Sequence, residues 1–212
     1  MTLATYQPDS NGTDTYVYIS GSINFGGSEY ILVNSNNHGL IKFDVSDIPS
    51  TADCVSATMS LYSWAGTGTG DTWTAYSIKS ANSGWTELGA TGDTIDGTTS
   101  WAGSGGCSTS GTDYDSVAIG SCVMSENFVQ ENQFVLSPSI VKTWFGASNL
   151  NFGMVLFTNH ASHSLFVVSS DSDPAYSAFR PKLVVDYDTS GTLYRRTFSR
   201  IGPNSGLRQS TY

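Results

Sequence analysis

The chain has 212 residues, a formal net charge of −9 and a mean hydropathy of −0.14, with 39% hydrophobic and 13% charged residues. A chain of this size buries a core without disulfides or metals, and with charges at about half the usual ~25% its surface must be solvated by Ser, Thr, Gly and Asn. An acidic body repels phosphates, which argues against a nucleic-acid partner, and no apolar run reaches the ~18 residues of a membrane span.

Short strand-like segments dominate in chain order. Strands are expected at 14–19 (DTYVYI), 29–33 (EYILV), 39–45 (GLIKFDV), 55–63 (VSATMSLYS) and 71–78 (DTWTAYSI). Four more are expected at 132–137 (NQFVLS), 152–158 (FGMVLFT), 164–169 (SLFVVS) and 182–187 (KLVVDY). They are rich in β-branched and aromatic residues and bounded by Gly, Asn, Ser and Asp. In ATMSLYS the alternation puts Ala57, Met59 and Leu61 on one side. The pattern predicts an all-β fold, an antiparallel jelly-roll β-sandwich. One short helix is expected in SPSIVKTWFG, with Ser137 as N-cap, Pro138 at the first helical position and Gly146 as the left-handed stop. Its stripe of Ile140, Val141, Trp144 and Phe145 is expected to pack on the sheets.

Residues 80–116 form a long excursion, of a kind that is functional or ordered by its own aromatics. Within it and beyond, three cysteines (Cys54, Cys107, Cys122) do not make a closed disulfide framework. Free thiols are the leading expectation, and a Cys107–Cys122 bridge is the alternative.

Catalytic motifs are absent: there is no G-x-S-x-G, H-E-x-x-H, C-x-x-C or Walker loop. GTGTGD (66–71) precedes a strand rather than opening a helix, so it reads as a hairpin loop. Glu87, Asp93 and Asp96 share one loop, but their spacing enforces no convergence of carboxylates. No enzyme activity and no organic cofactor are expected. His160 and His163 share a metal only if a turn falls between them, since residues three apart on a strand face opposite ways. Asp171 and Asp173 in SSDSDP are oxygen donors for a structural calcium, though a polar turn before Pro174 is the stronger reading. Trp73, Trp85, Trp101 and Tyr114 are rings of the size that a sugar-stacking platform needs, and Trp73 and Tyr114 are the candidate glycan-binding residues.

Seven segments in order, DTYVY, NFGGSEYILV, GLIKFDVSDIP, VSATMSLY, WTE with TSW, VKTWFGASNLNFGMVL and FRPKLVVDY, resemble the DNRLRE domain family, which is related to a group of carbohydrate-binding modules. The resemblance runs from about Asp14 to Tyr187 and implies a jelly-roll sandwich without catalytic residues that binds polysaccharide or serves surface adhesion. It gives Trp85 and Trp101 structural roles. Phe43 and Val45 are expected to point inward, Asp44 and Asp47 to bond the amides of the next turn, and Pro181 to open a final edge strand.

The end of the chain departs from that pattern. Residues 1–188 hold all eighteen acids, whereas 189–212 hold Arg195, Arg196, Arg200 and Arg208 and no acid. Two units are therefore expected: a jelly-roll domain over 1–188 and a basic docking arm over 189–212. Arginine suits bidentate carboxylate pairing, and Phe198 and Ile201 add apolar anchors between the charges. The first residues have neither the basic nor the apolar region of a signal peptide. Together these features lead to the expectation of a non-enzymatic virion protein of a phage-like particle, a surface or decoration subunit made in the host cytoplasm. Its expected partners are neighbouring virion proteins or copies of itself, in a trimer, and cell-surface glycans. The alternative is an extracellular polysaccharide-binding module of a secreted carbohydrate-active protein.

Overall fold

In a computed structural model, which describes residues 1–8, 13–146 and 150–190, the chain forms two antiparallel sheets packed face to face. The strands are β1 (Thr2–Tyr6), β2 (Thr13–Tyr18), β3 (Tyr30–Val33), β4 (Asn37–Lys42), β5 (Asp53–Gly66), β6 (Thr72–Ile78), β7 (Tyr114–Val123), β8 (Glu131–Leu136), β9 (Met154–Thr158), β10 (Leu165–Val168) and β11 (Lys182–Asp188). The six-stranded sheet runs β1-β11-β5-β10-β3, with β8 also paired to β5, and the five-stranded sheet runs β2-β4-β9-β6-β7. The expected all-β sandwich is the fold observed.

Between the sheets lies the main core. Met59 and Leu61 of β5, Phe134 and Leu136 of β8 and Leu183 and Val185 of β11 meet Ile41 of β4, Trp73 of β6 and Met154 and Leu156 of β9. Each pair is spaced by two residues, so each strand sends one face inward. A second cluster sits on the outside of the five-stranded sheet. There Val17, Leu40, Ile78 and Val155 are covered by Trp85, Ala90, Ile95, Trp101 and Cys107 from the 79–113 excursion. The strands β4 and β9 of that sheet are buried on both faces, which is why GLI and MVL read as continuous apolar runs.

Buried polar groups organise the covering loop. The Asp113 carboxylate, fully buried, accepts from Asn82 Nδ2 at 3.0 Å and from the amides of Gly103, Ser104 and Thr109 at 2.7, 3.2 and 2.8 Å. Trp85 Nε1 donates to the Phe152 carbonyl at 2.6 Å and Trp101 Nε1 to the Thr91 carbonyl at 2.9 Å. Gly92 packs so closely on the Tyr18 and Gly21 backbone that a Cβ there has no room.

Two strands, β1 and β7, lie outside the segments expected from sequence. Both carry mainly exposed or half-buried side chains at sheet edges, so neither shows the apolar alternation that marks a strand in sequence. The presence of β1 corrects one expectation: β11 is interior, paired to β1 as well as β5, so Pro181 opens a central strand rather than an edge. Phe43 and Val45 do point inward, and Asp44 accepts from the Ser46 amide at 3.0 Å. Asp47 instead accepts from the Tyr6 hydroxyl at 2.6 Å. The short helix α1 (Pro138–Val141) forms, continues as a 3-10 turn over Lys142–Trp144, and Gly146 takes φ +71°. Ser137 makes no side-chain cap; its carbonyl accepts from the amides of Ile140 and Val141 instead.

Candidate functional site

The two outer faces of the sandwich differ. No loop equivalent to 79–113 covers the six-stranded sheet among the described residues, and its outward positions carry aromatics. Alternation along β5 sends Leu61 and Ser63 inward and Tyr62 and Trp64 outward. Trp64 meets Tyr176 at 4.7 Å and Phe128 at 5.5 Å between ring centroids, both edge to face. Phe128 is 55% exposed, a large apolar side chain left in water. Tyr62 contacts Phe179 at 5.5 Å, so the aromatic surface extends along the strand.

Polar groups border this surface. Lys182 donates to the Tyr62 hydroxyl at 3.1 Å and pairs with Glu131 at 3.5 Å. Tyr176 and Phe179 ride on a 3-10 helix, Pro174–Phe179, whose start Asp173 caps by accepting from the Ala175 amide at 2.8 Å. Rings gathered around a strand residue and flanked by hydrogen-bonding groups suit a pyranose: its apolar C–H face covers a ring while its hydroxyls meet the rim.

The sequence candidates fall elsewhere. Trp73 is 1% exposed in the main core, so its ring faces are closed to any sugar, a correction that follows from its side chain facing the opposite sheet. Tyr114 is half-buried and packs with Tyr76 and Phe157 at 5.1 and 4.9 Å, beside the covering loop. Cys54, Cys107 and Cys122 are free; Cys107 lies in the outer cluster and Cys122 packs against the main core. Arg195, Arg196, Phe198, Arg200, Ile201 and Arg208 lie outside the described residues. The platform residues Trp64, Phe128 and Tyr176 come from three separate stretches, and only the outward phase of Trp64 is readable in sequence, from the ATMSLYSW alternation.

Carboxylates do not assemble into an acid–base pair on this face among the described residues. Asp96 accepts four hydrogen bonds from the amides and hydroxyls of Thr98 and Thr99, which hold its carboxyl well below the usual carboxylate range. Glu87 accepts from the Asp14 amide at 2.9 Å. Burial pushes the Asp14 carboxyl up to about 7; the Ser170 amide, donating at 2.9 Å, opposes this, while Glu87 and Asp171 add repulsion. Burial likewise raises Glu87 to about 7. Asp14 Oδ1 and Ser170 Oγ are buried without a hydrogen-bond partner.

A cleft of about 350 Å³ opens at one end of the sandwich, lined by Thr13, Lys42, Asp44, Ser46, Trp144, Gly146 and Asn151. Trp144 is buried there, so the cleft offers hydrogen-bonding groups without an open aromatic face.

A two-sheet sandwich with partly open aromatic rings on one outer face offers a surface for binding rather than an enclosed reaction site. Comparison with known families agrees: residues 5–144 match carbohydrate-binding module family 96, and the chain belongs to that family. The matched span contains Tyr62, Trp64, Phe128 and Glu131 and stops short of Tyr176, Phe179 and Lys182. No curated protein matches the chain. Carbohydrate-binding modules of this kind are in general non-catalytic, with glycans as partners.

Proposed function

We propose that this chain is a non-enzymatic glycan-binding module whose recognition surface is the bare outer face of the six-stranded sheet. Trp64, Phe128 and Tyr176 stack on sugar rings, and Tyr62, Lys182 and Glu131 read the hydroxyl pattern. The supporting observation is the trio assembled around Trp64 of β5, with Phe128 exposed and Trp64 and Tyr176 half-buried, set against the covered aromatics of the opposite sheet. Affinity electrophoresis against a panel of neutral and uronate polysaccharides tests it. Wild type is retarded by at least one polymer and Trp64→Ala is not, while Trp64→Phe keeps part of the retardation. Equal retardation of wild type and Trp64→Ala overturns the assignment of this face.

A second reading concerns where the module is displayed. The four arginines of 189–212, against a body that carries every acid, support a docking arm that mounts the module on an assembly. A virion surface or decoration subunit fits that arrangement, and attachment to a secreted carbohydrate-active protein is the alternative. Deleting 189–212 leaves a folded module that still binds glycan but no longer enters oligomers or particles. An unchanged mass by light scattering, together with normal incorporation, removes the docking role.

A further inference from the structure

We propose that Asp71, His160 and His163 form a binding site for a divalent transition metal of the zinc type, at the rim where the chain crosses between the sheets. The inference is independent of the glycan-binding face.

The turn that a shared metal requires is present. Residues 159–164 connect β9 of one sheet to β10 of the other, so His160 and His163 sit on a crossover rather than on a strand. One possible ligand atom from each of Asp71, His160 and His163 lies within 4.8 Å of the others. The His163 Nδ1 is 2.9 Å from an Asp71 carboxylate oxygen, and the two imidazoles stack at 3.6 Å with 9° between their planes.

Both loops are held from the backbone. Asn159 exchanges hydrogen bonds with Thr72, its amide donating to the Thr72 carbonyl at 3.1 Å and its Oδ1 accepting from the Thr72 amide at 2.9 Å. At the other end of the crossover the Thr67 amide donates to the Ser164 carbonyl at 2.8 Å. Asp71 is fixed between them: its amide donates to the Gly68 carbonyl and its carbonyl accepts from the Met124 amide, at 2.9 and 2.8 Å. The carboxylate is nearly buried and both imidazoles are half-exposed, which preorganises the anion and leaves a path for an ion.

Donor chemistry selects the metal. Two imidazoles and one carboxylate suit zinc, nickel or copper, whereas calcium takes six to eight oxygens. Stacked rings direct their lone pairs side by side, so binding turns them apart about χ2, a soft torsion for histidine. Three protein ligands leave at least one position for water. Bound there, the ion joins the β5–β6 and β9–β10 crossovers.

Isothermal titration of the whole chain, stripped with a chelator and desalted, with zinc chloride tests this. Wild type takes up one equivalent. His160→Ala and His163→Ala, both at half-exposed positions that leave the fold intact by melting, each weaken uptake at least tenfold, the scale of losing a group that merely supports a ligand. Calcium chloride gives no heat at this site. Cobalt(II) supplies a second readout, visible absorption bands in wild type that both histidine variants lose. Absence of zinc uptake at 0.1 mM protein, or uptake undiminished in both histidine variants, overturns the proposal and leaves a plain Asp71–His163 hydrogen bond.

Discussion

The outer faces of the two sheets carry the same kinds of residue and use them in opposite ways. On the five-stranded sheet, Trp85 and Trp101 descend from the 79–113 loop onto Val17, Leu40 and Val155 and become core. On the six-stranded sheet, Trp64, Phe128 and Tyr176 meet one another edge to face and remain in contact with water. An aromatic ring is thus structural or available according to what crosses above it, and that is a property of the loops rather than of the ring.

Breaking the covered face should have the largest effect. Trp85→Ala removes a ring buried in the second cluster together with its bond to Phe152, and is expected to cost about 3–5 kcal/mol in urea unfolding. If the loop were only a loose cover, the loss would stay under about 1 kcal/mol.

Acidity probes the junction that pins the covering loop to β2. Asp14 and Glu87 both have folded-state values raised to about 7, so the folded chain holds protons more tightly than the unfolded one. Their contribution is complete below about pH 4 and is lost as pH rises through 7. Stability should therefore fall between pH 4.5 and 8, by up to about 4 kcal/mol for Asp14, since each tenfold gain in proton affinity on folding corresponds to about 1.36 kcal/mol. Denaturation series in chelator check the slope, and Asp14→Asn should flatten it.

The bare face answers to a different measurement. Trp64→Ala should lower glycan affinity about tenfold or more, equivalent to ~1.4 kcal/mol, while unfolding stability moves by less than about 1.5 kcal/mol. The opposite split, with stability lost and affinity kept, would make Trp64 a packing residue like those beneath the loop. The smallest effect is expected at the rim. Lys182→Met removes a partly exposed pair with Glu131, worth about 0.2–1 kcal/mol of stability, and should weaken binding a few-fold by the same electrophoresis.

Legibility from sequence follows burial geometry. β5 announces itself because one of its faces is core and the other is not, and that alternation also tells which way Trp64 points. β9 is visible as a continuous run because both of its faces are covered. β1 and β7 escape because edge strands need no apolar pattern. Trp73 cannot be separated from a ligand-binding ring by sequence, since burial depends on which face of β6 meets the other sheet. His160 and His163 stand out as a pair by their spacing; Asp71 does not, because it lies 89 residues before His160 and meets it only across the sheets.

From the sequence alone come the antiparallel sandwich, most of its strands and the acidic body with a basic end, because strand periodicity, turn residues and charge are local properties. Which aromatics face solvent, which carboxylates lose their water and which histidines find an acid were decided by tertiary structure. Those outcomes depend on segments tens of residues apart coming within a few ångströms, and no local pattern records that distance.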